Sequence, residues 1–278
     1  YELNLNSHIK RFLCAYLRGR QTFVEFRGVK SKYRKVKQGV PQGGVLSPTL
    51  FNLYMSKMPS PPEGIKLVSY ADDSNVLKSG TNIESLCQDI NQYLNTLDEW
   101  FISRNLFISP AKSTATLFTT SKYELNLELP VEINDVRVPT VKQPKFLGVT
   151  YDNLMSFNHH AAAMKTKLQN KNNILKVLTG TSWGQDKEII VSTYKSIGQS
   201  ILNYACPVWT PSMTDNTFKT LQRAQNTALK TALGCVKMTD ENHIHNETKI
   251  MPVQAHCEML SKQYLLSTQK ENHPVKIN

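Results

Sequence analysis

Two adjacent aspartates, Asp72 and Asp73, are the residues of this sequence best suited to chemistry. Consecutive side chains of a strand point to opposite faces, whereas two carboxylates at a hairpin tip can both lie near one cation. Carboxylate oxygens suit Mg²⁺, a hard cation that takes its other ligands from water and phosphate. An Asp-rich turn without a metal is the alternative for such a short motif. The pair therefore predicts a metal site only where its surroundings support one.

The residues around this pair predict the element that positions it. Residues 65–69 form a short apolar run, residues 70–73 a tight turn, and residues 74–77 a returning strand. We therefore expect Asp72 and Asp73 at the tip of an antiparallel hairpin. Both should be accessible to solvent, with their carboxylates facing one cavity.

A block rich in glycine and proline lies upstream of the carboxylates. It reads Gln38-Gly-Val-Pro-Gln-Gly-Gly-Val-Leu-Ser-Pro48, and Leu-Phe-Asn follow at 50–52. Gly43 and Gly44 permit close approach of the backbone to a substrate, or serve turn geometry alone. Ser47 is expected to be the N-cap of a helix, with Pro48 as its first residue.

Apolar spacing predicts the remaining elements. A long helix is expected over residues 83–101, with a capping box of Thr81 and Glu84 at its start and Asn105 at its end. Upstream, the segment 22–36 predicts a basic hairpin that turns at Arg27-Gly28. The other predicted elements are short strands at 115–118, 131–133, 136–138 and 145–151, and helices at 158–179, 186–203 and 214–233.

The glycine block and the carboxylate hairpin, in this order and at this spacing, resemble motifs of reverse transcriptases, of the type found in non-LTR (LINE-like, jockey-type) retrotransposons. The resemblance implies catalytic and metal-binding roles for Asp72 and Asp73. It implies that Gln42 and Gly43 bind the incoming nucleotide. It also implies that Tyr70 packs beside the primer strand. Hydrogen bonding within its own loop is the alternative for Gln42, and ordinary core packing is the alternative for Tyr70.

Further blocks extend the resemblance to about residue 260. Lys112 is similar to a lysine that the family places near the incoming triphosphate, with a solvated lysine as the alternative. Phe146, Leu147 and Gly148 resemble the primer grip, although Phe146 and Leu147 fit a core equally well. Looser similarity to the helical region of the family covers Trp183-Gly184, 202–209 and 221–226. Gly44 is a departure, because the family more often has Ser there, which would loosen the loop.

This resemblance implies an α+β fold and a function. Residues 1–155 would be a truncated polymerase palm with an antiparallel sheet, helices and a remnant of the fingers. Residues 156–278 would be an all-helical thumb and C-terminal connection. The implied reaction is RNA-directed DNA synthesis, in which a primer 3′-hydroxyl attacks a dNTP in a site with two Mg²⁺ ions. The implied partners are an RNA template, a DNA primer and dNTPs.

One element of the implied site is absent from the sequence. The family has a further catalytic Asp in a strand-borne block upstream of the basic hairpin, and residues 1–44 contain no Asp. Residues 6–17 resemble the helix that follows that block. We therefore expect the two-metal site to be incomplete and the chain by itself to be inactive. The alternatives are a remnant that binds nucleic acid without catalysis and a scaffold that binds other proteins.

Charge is distributed in blocks along the chain. Residues 1–44 hold ten Lys and Arg against two acids, and residues 159–237 hold ten against three. Basic blocks of this kind suit a polyanion bound along its backbone, or simply keep a protein soluble. In the second block, we expect Lys165, Lys167, Lys171 and Lys176 to point to solvent on one shared face.

The remaining composition bears on compartment and class. Five cysteines lack any CxxC pair, which argues against a disulfide framework. The cluster His243, His245, His256 and Cys257 fits no common zinc spacing. No run is long enough to span a bilayer, and the start of the chain lacks the features of a signal peptide. These observations predict an intracellular protein of the cytoplasm and nucleus, without a membrane partner.

Overall fold

The structure, a computed structural model, describes residues 5–179 and 184–270. It combines helices with short antiparallel strand pairs, which confirms the predicted α+β class. The chain forms two compact units, one of Tyr1–Ser109 with Val131–Val136 and the other of Pro110–Pro130 with Arg137–Asn278. Residues 137–155 group with the helices that follow them, and the predicted palm–thumb boundary near residue 155 stays a prediction.

The first unit begins with a helix and short strand pairs and ends with a long helix. Its elements are α1 (Ser7–Leu17), β1 (Gln21–Thr22), β2 (Glu25–Phe26), β3 (Val29–Lys30), β4 (Arg34–Lys35), α2 (Ser47–Met55), β5 (Ile65–Tyr70), β6 (Asp73–Lys78), α3 (Ile83–Ser103) and β7 (Glu132–Ile133). The antiparallel pairs are β1–β4, β2–β3 and β5–β6. Strand β8 (Val136–Arg137) pairs with β7 across the turn at Asn134 and Asp135, as the sequence predicts.

Helix α3 supports the β5–β6 hairpin from one side. Ile65 of the hairpin packs with Tyr93 and Leu97 of α3 in a small buried cluster. The Tyr93 hydroxyl also donates a hydrogen bond to the carbonyl of Pro59, 2.8 Å away. The α3 N-terminus differs from expectation, because the side chain of Asn82, and not a Thr81–Glu84 box, accepts from the Ser85 N–H at 3.1 Å.

The second unit is mainly helical. Its elements are a 3₁₀ turn (Pro110–Lys112), β9 (Lys145–Phe146), β10 (Val149–Thr150), α4 (Asn158–Leu178), α5 (Lys187–Tyr194), a π turn (Lys195–Gln199), α6 (Ser200–Asn203), α7 (Cys206–Trp209), a 3₁₀ turn (Thr210–Ser212), α8 (Asp215–Ala232), α9 (Glu241–Thr248) and α10 (Val253–Thr268). The strand predicted at 115–118 is reduced to a single bridge between Ala115 and Thr140.

The helices of the second unit share one large core. Trp209, Tyr194, Phe157 and Leu221 are fully buried within it. Helices α4 and α8 occupy the positions predicted for them, because their apolar residues recur at helical spacing along one face. The helix predicted over 186–203 is interrupted by the π turn. The prediction that these three segments pack together is confirmed.

The entry into α4 is organised by one buried carboxylate. Asp152 accepts hydrogen bonds from the N–H groups of Leu154, Ser156 and Phe157 at 3.2, 3.0 and 2.7 Å, and from the Ser156 hydroxyl at 3.1 Å. All of these donors belong to the residues just before Asn158, the first residue of α4. The carboxylate therefore fixes how the chain passes from β10 into the helical core.

Within the described residues, none of the helices is both long enough and apolar enough to cross a bilayer.

Candidate active site

Asp72 and Asp73 lie at the tip of the β5–β6 hairpin. The register runs from Ile65↔Lys78 to Tyr70↔Asp73, which leaves Ala71 and Asp72 as a two-residue turn. Ala71 has a φ of 54°, a left-handed conformation that is costly for a residue with a Cβ. Both aspartates are exposed. The predicted antiparallel hairpin tip is thus confirmed, while a common cavity for the two carboxylates stays a prediction.

Cross-strand pairing assigns the hairpin residues to two faces. Ile65, Leu67 and Val76 pack against the α3 cluster on one face. Tyr70 and its partner Asp73 belong to the opposite face, because directly paired residues share a face and successive pairs alternate. The Tyr70 side chain is 66% exposed, so core packing is not its role within the described residues. The hairpin therefore presents Asp73 and an aromatic ring together on its open face.

Neither carboxylate has a bonding partner among the described residues. A side-chain hydrogen bond beside the tip joins the hydroxyls of Ser69 and Ser74, 2.9 Å apart, and involves neither aspartate. Two exposed carboxylates without competing donors suit a hydrated divalent cation, which accepts water for its remaining ligands. In the same residues, no group of three or more His, Cys, Asp and Glu side chains could hold a metal ion. The tip fits a divalent cation as a partial ligand set.

The loop that contains Gln42 is held by its own turn bonds. The Gly44 N–H donates to the Pro41 carbonyl and the Ser47 N–H donates to the Gly44 carbonyl, both at 3.1 Å. Ser47 is the first residue of α2 and not its N-cap, because its buried hydroxyl donates to the Pro41 carbonyl instead. Gln42 remains exposed, with its amide free to meet a ligand in this part of the structure.

The two glycines of the loop serve different needs. Gly43 has a φ of 81°, which favours glycine, and a Cβ there would meet no atom within 4 Å. Gly44 is in tight contact, since a Cβ there would lie 2.6 Å from the Tyr16 hydroxyl and 2.8 Å from Ser47 Oγ. The missing side chain thus lets the loop pack closely on Tyr16 of α1, while the expected loosening of the loop stays a prediction.

The other predicted site residues lie in the second unit. Lys112 ends an exposed 3₁₀ turn. Residues 145–151, predicted as one strand, form the β9–β10 hairpin instead. Leu147 and Gly148 make its turn, with φ values of 46° and 82°, and Phe146 is half-buried. The hairpin predicted for the primer grip is thus present, and its role stays a prediction.

Tyr204 supports this second hairpin, a residue that the sequence marked only as part of a loose similarity. Its hydroxyl donates to the Leu147 carbonyl at 2.6 Å, and its ring lies 3.3 Å from where a Cβ of Gly148 would be. Its own carbonyl accepts from Trp209 Nε1 at 3.0 Å. Only tertiary structure brings residues this far apart in sequence together. Trp183, in the same loose similarity, lies outside the described residues.

The lysines of α4 do not share one face. Lys167, Lys171 and Lys176 are exposed and Lys165 is half-buried. A helix turns roughly 100° per residue, so Lys165 and Lys176 lie on one flank of the buried stripe and the other two on the opposite flank. The predicted shared face is therefore wrong. A nucleic-acid path along this helix loses the support that the charge pattern gave it.

Comparison with known proteins identifies a family. A family profile described as "Reverse transcriptase (RNA-dependent DNA polymerase)" matches residues 2–151. The match covers the Gly-rich loop, both hairpins and the 3₁₀ turn that ends at Lys112, so it includes every predicted site residue.

Relatives extend beyond that profile. The chain is 29% identical over 245 residues to the probable RNA-directed DNA polymerase from transposon X-element of Drosophila melanogaster, covering 87% of this chain and 26% of the relative. It is 26% identical over 212 residues to the RNA-directed DNA polymerase from mobile element jockey of Drosophila funebris, covering 74% of this chain and 23% of the relative. A Pol polyprotein from type-1 retrotransposable element R1 of Nasonia vitripennis is 22% identical over 209 residues, covering 72% and 60%.

These matches define what the chain is similar to. It spans about a quarter of the length of the X-element and jockey relatives. No solved structure matches it significantly. The profile covers more than half of the 278 residues and includes the predicted site. The chain therefore belongs to the reverse transcriptase family, and its relatives are the polymerases of non-LTR retrotransposons.

Proposed function

We propose that this chain is the part of an RNA-directed DNA polymerase that carries the metal-binding palm hairpin and the helical thumb. The observation that carries the proposal is the exposed pair Asp72 and Asp73 at a hairpin tip, engaged by no other described residue. Family membership supports the same reaction, the transfer of a nucleotide to a primer 3′-hydroxyl. RNA template, DNA primer and dNTPs are the proposed partners.

In this proposal each site residue has one task. Asp72 and Asp73 would hold divalent metal, with Mg²⁺ as the ion. When bound, such ions supply Lewis-acid stabilisation of the attacking and leaving oxygens. Gln42, in its exposed loop, would hydrogen-bond the incoming nucleotide, and the small Gly43 would let the backbone approach it. Tyr70 would pack against the primer on the open face of the hairpin.

The second unit would handle charge and the primer end. Lys112, exposed at the end of its turn, would pair with the triphosphate. The turn of Phe146, Leu147 and Gly148 would hold the primer 3′ end, with its left-handed backbone fixed by the hydrogen bond from Tyr204. These roles rest on the resemblance of the motifs and on the exposed turns that carry them.

We further propose that the 278 residues alone bind nucleic acid but do not extend a primer. Metal positioning depends on the number of protein carboxylates, because two Mg²⁺ ions and a triphosphate nearly cancel each other's charge. In the described part of the chain, Asp72 and Asp73 are not joined by a third carboxylate, histidine or cysteine in a group that could hold a metal ion. Loss of such positioning typically lowers the rate by at least ~10³.

A primer-extension assay tests the proposal. Synthesis should appear when an upstream strand-borne Asp block of the family is placed before Tyr1, and Asp72→Asn or Asp73→Asn should then lower it by at least ~10³. Asp135→Asn is the matched control, since Asp135 is an exposed aspartate at another hairpin tip. It should leave synthesis unchanged.

Two outcomes would count against the proposal. Strong Mg²⁺-dependent extension by the isolated 278 residues would show that the metal ligands are wrongly assigned. Full activity of the Asp72→Asn variant would remove the hairpin tip from the chemistry. Retained binding without any rescue by the upstream block would favour the alternative of a nucleic-acid-binding remnant without catalysis.

A further inference from the structure

Residues 21–35 of the first unit form a double hairpin, which we call the aromatic hairpin, and no part of the proposed reaction uses it. Its outer strands pair Gln21 with Lys35, and its inner strands pair Glu25 with Lys30. The second half of the double hairpin carries one extra residue, since two residues separate Thr22 from Glu25 and three separate Lys30 from Arg34. Val24 and Ser31 are joined by two hydrogen bonds of 2.8 and 2.9 Å next to this point. Such a bulge increases the local twist and re-aims side chains.

Aromatic rings and cations are interleaved on this hairpin. The Phe23 and Tyr33 rings contact each other, with centroids 4.9 Å apart and planes at 59°. The Lys30 ammonium lies 5.2 Å from the centroid of Phe23. Further along, the Arg27 guanidinium lies 5.3 Å from the centroid of Phe26. Each contact is a cation–π arrangement that holds a positive charge beside a ring.

These rings are unusually open to solvent. Phe26 is 70% exposed and Tyr33 is 60% exposed, and two neighbouring valines are exposed as well. On one face of the ribbon the exposed Phe26 and Val29 are directly paired, and on the other face Tyr33 contacts Phe23, so each face presents exposed apolar side chains. The hairpin is also held by short strand pairs and local contacts rather than by a core, since none of residues 21–35 is buried. It therefore has apolar surface to offer to a ligand.

The charge around the rings indicates the chemical class of the ligand. Residues 21–37 hold six Lys and Arg and one acid, Glu25, whose carboxylate lies 3.7 Å from the Lys30 ammonium. The net field is positive, and the basic residues are exposed. A ligand that satisfies both features must carry repeated negative charge and flat apolar groups.

We propose that the aromatic hairpin binds single-stranded nucleic acid, with bases stacked on Tyr33 and Phe26 and phosphates paired with the surrounding cations. Exposed rings can stack only on unpaired bases, because the bases of a duplex are already stacked. This inference rests on the proposed function, because it takes nucleic acid to be the ligand. It adds a second binding surface, apart from the carboxylate hairpin.

Binding of a short labelled oligouridylate to the 278-residue chain, followed by fluorescence anisotropy, tests the stacking. Tyr33→Ala and Phe26→Ala should each weaken binding at least about fivefold, because aromatic stacking contributes this much or more per base. Tyr33→Phe keeps a ring and should restore binding. Phe107→Ala is the matched control, because Phe107 is 79% exposed in the same unit and lies outside the aromatic hairpin.

Salt dependence separates stacking from charge. Tyr33→Ala should lower affinity without changing the slope of log K against log salt concentration. Lys32→Gln and Lys35→Gln should instead flatten that slope, by about 0.7 for each phosphate of a single strand that the variant no longer neutralises. Circular dichroism should show the same helical signal for every variant, since all of these side chains are exposed.

The possible outcomes separate the two proposals. Equal affinities of Tyr33→Ala, Phe26→Ala and Phe107→Ala would overturn this inference while leaving the proposed polymerase intact. A duplex bound as tightly as the single strand, with the same weakening in Tyr33→Ala, would also overturn it. Competition by polyglutamate as strong as that by oligouridylate would assign the surface to an acidic polypeptide and overturn it too. Absence of any nucleic-acid binding would count against the proposed function as well.

Discussion

The two units of this protein differ in the size of the buried apolar clusters that hold their elements together. In the second unit, a cluster of 23 buried apolar residues joins the helices. The cluster that supports the carboxylate hairpin in the first unit contains three, Ile65, Tyr93 and Leu97, with partly buried neighbours around them. Asp72, Asp73 and Gln42 thus lie where turns and local hydrogen bonds fix the backbone. The comparison indicates that the proposed metal-binding aspartates and most of the packing stability belong to different units.

The largest expected effect is on the second core. Trp209→Ala removes a fully buried ring and the hydrogen bond from its Nε1 to the Tyr204 carbonyl. We expect a loss of about 3–5 kcal/mol in the free energy of unfolding of this unit. Trp100→Ala is the counterpart in the first unit, where the ring is only half-buried beneath Arg104, and it should cost less. Urea unfolding followed by circular dichroism measures both, and equal losses would contradict the comparison.

Adding one methyl group probes how tightly each unit is packed. Gly198→Ala would place a Cβ 2.7 Å from the buried Tyr194 ring and 3.1 Å from Leu168, so overpacking should cost about 1–3 kcal/mol. Gly44→Ala meets its two closest atoms at 2.6 and 2.8 Å, but they are the hydroxyl ends of Tyr16 and Ser47, which can shift, and the Pro41 carbonyl oxygen lies further away at 3.2 Å. We expect a smaller loss there. Thermal melts of the two variants give the ranking, and the reverse order would show a stiffer first unit.

The pH dependence of stability should also belong to the second unit. Burial lowers the pKa of His160, and nearby Lys167 lowers it further, while burial lowers the pKa of His256. Both side chains are therefore neutral in the folded state at a pH where the unfolded chain, with a histidine pKa of about 6.5, takes up protons. Stability should fall as the pH drops below about 6.5. His160→Gln should flatten that part of the profile, and an unchanged profile would contradict this assignment.

The smallest expected effect is at the carboxylate hairpin. Ala71→Gly removes the strain of a left-handed alanine, which costs about 1 kcal/mol. It also raises the conformational entropy of the unfolded chain, which offsets the gain by a similar amount. We expect a gain of at most about 0.5 kcal/mol. Gly148→Ala, at a φ of 82° and beside the Tyr204 ring, should be destabilising instead. Melting temperatures decide the sign, and stabilisation by both substitutions would break the contrast.

Regular spacing made the helices predictable from sequence. Apolar residues at every third or fourth position placed α4 and α8 within two residues of their observed bounds. The tight turn Ala71-Asp72 and the Asn134-Asp135 turn were also predictable, because the residues before and after each turn read as strands. The exposure of Asp72 and Asp73 followed from that hairpin. These features depend on residues that are close together in the sequence, so a sequence pattern can predict them.

Features that depend on distant contacts could not be predicted in this way. The π turn after Tyr194 keeps the same apolar spacing as a continuous helix, so periodicity does not show it. Ser47 and Thr81 are both residue types that suit an N-cap. The Ser47 hydroxyl instead donates to the Pro41 carbonyl, and Asn82 takes the place of Thr81 as the cap of α3. The close packing of Gly44 on Tyr16 requires knowing where α1 lies. In each case tertiary structure outweighed a correct local preference.

The division of the chain into units has a consequence for its modularity. The first unit takes residues 131–136 from within the sequence of the second, and Glu132 and Asn134 bond to Asn91 and to the buried Asp98 of α3 at 3.1 and 3.2 Å. No single cut in the polypeptide can therefore separate the two units and leave both intact. A fragment that ends at Ser109 would leave Asp98 without this partner. Recombination or gene breakage within residues 110–136 should thus damage both units at once, whereas a break after residue 136 spares the first.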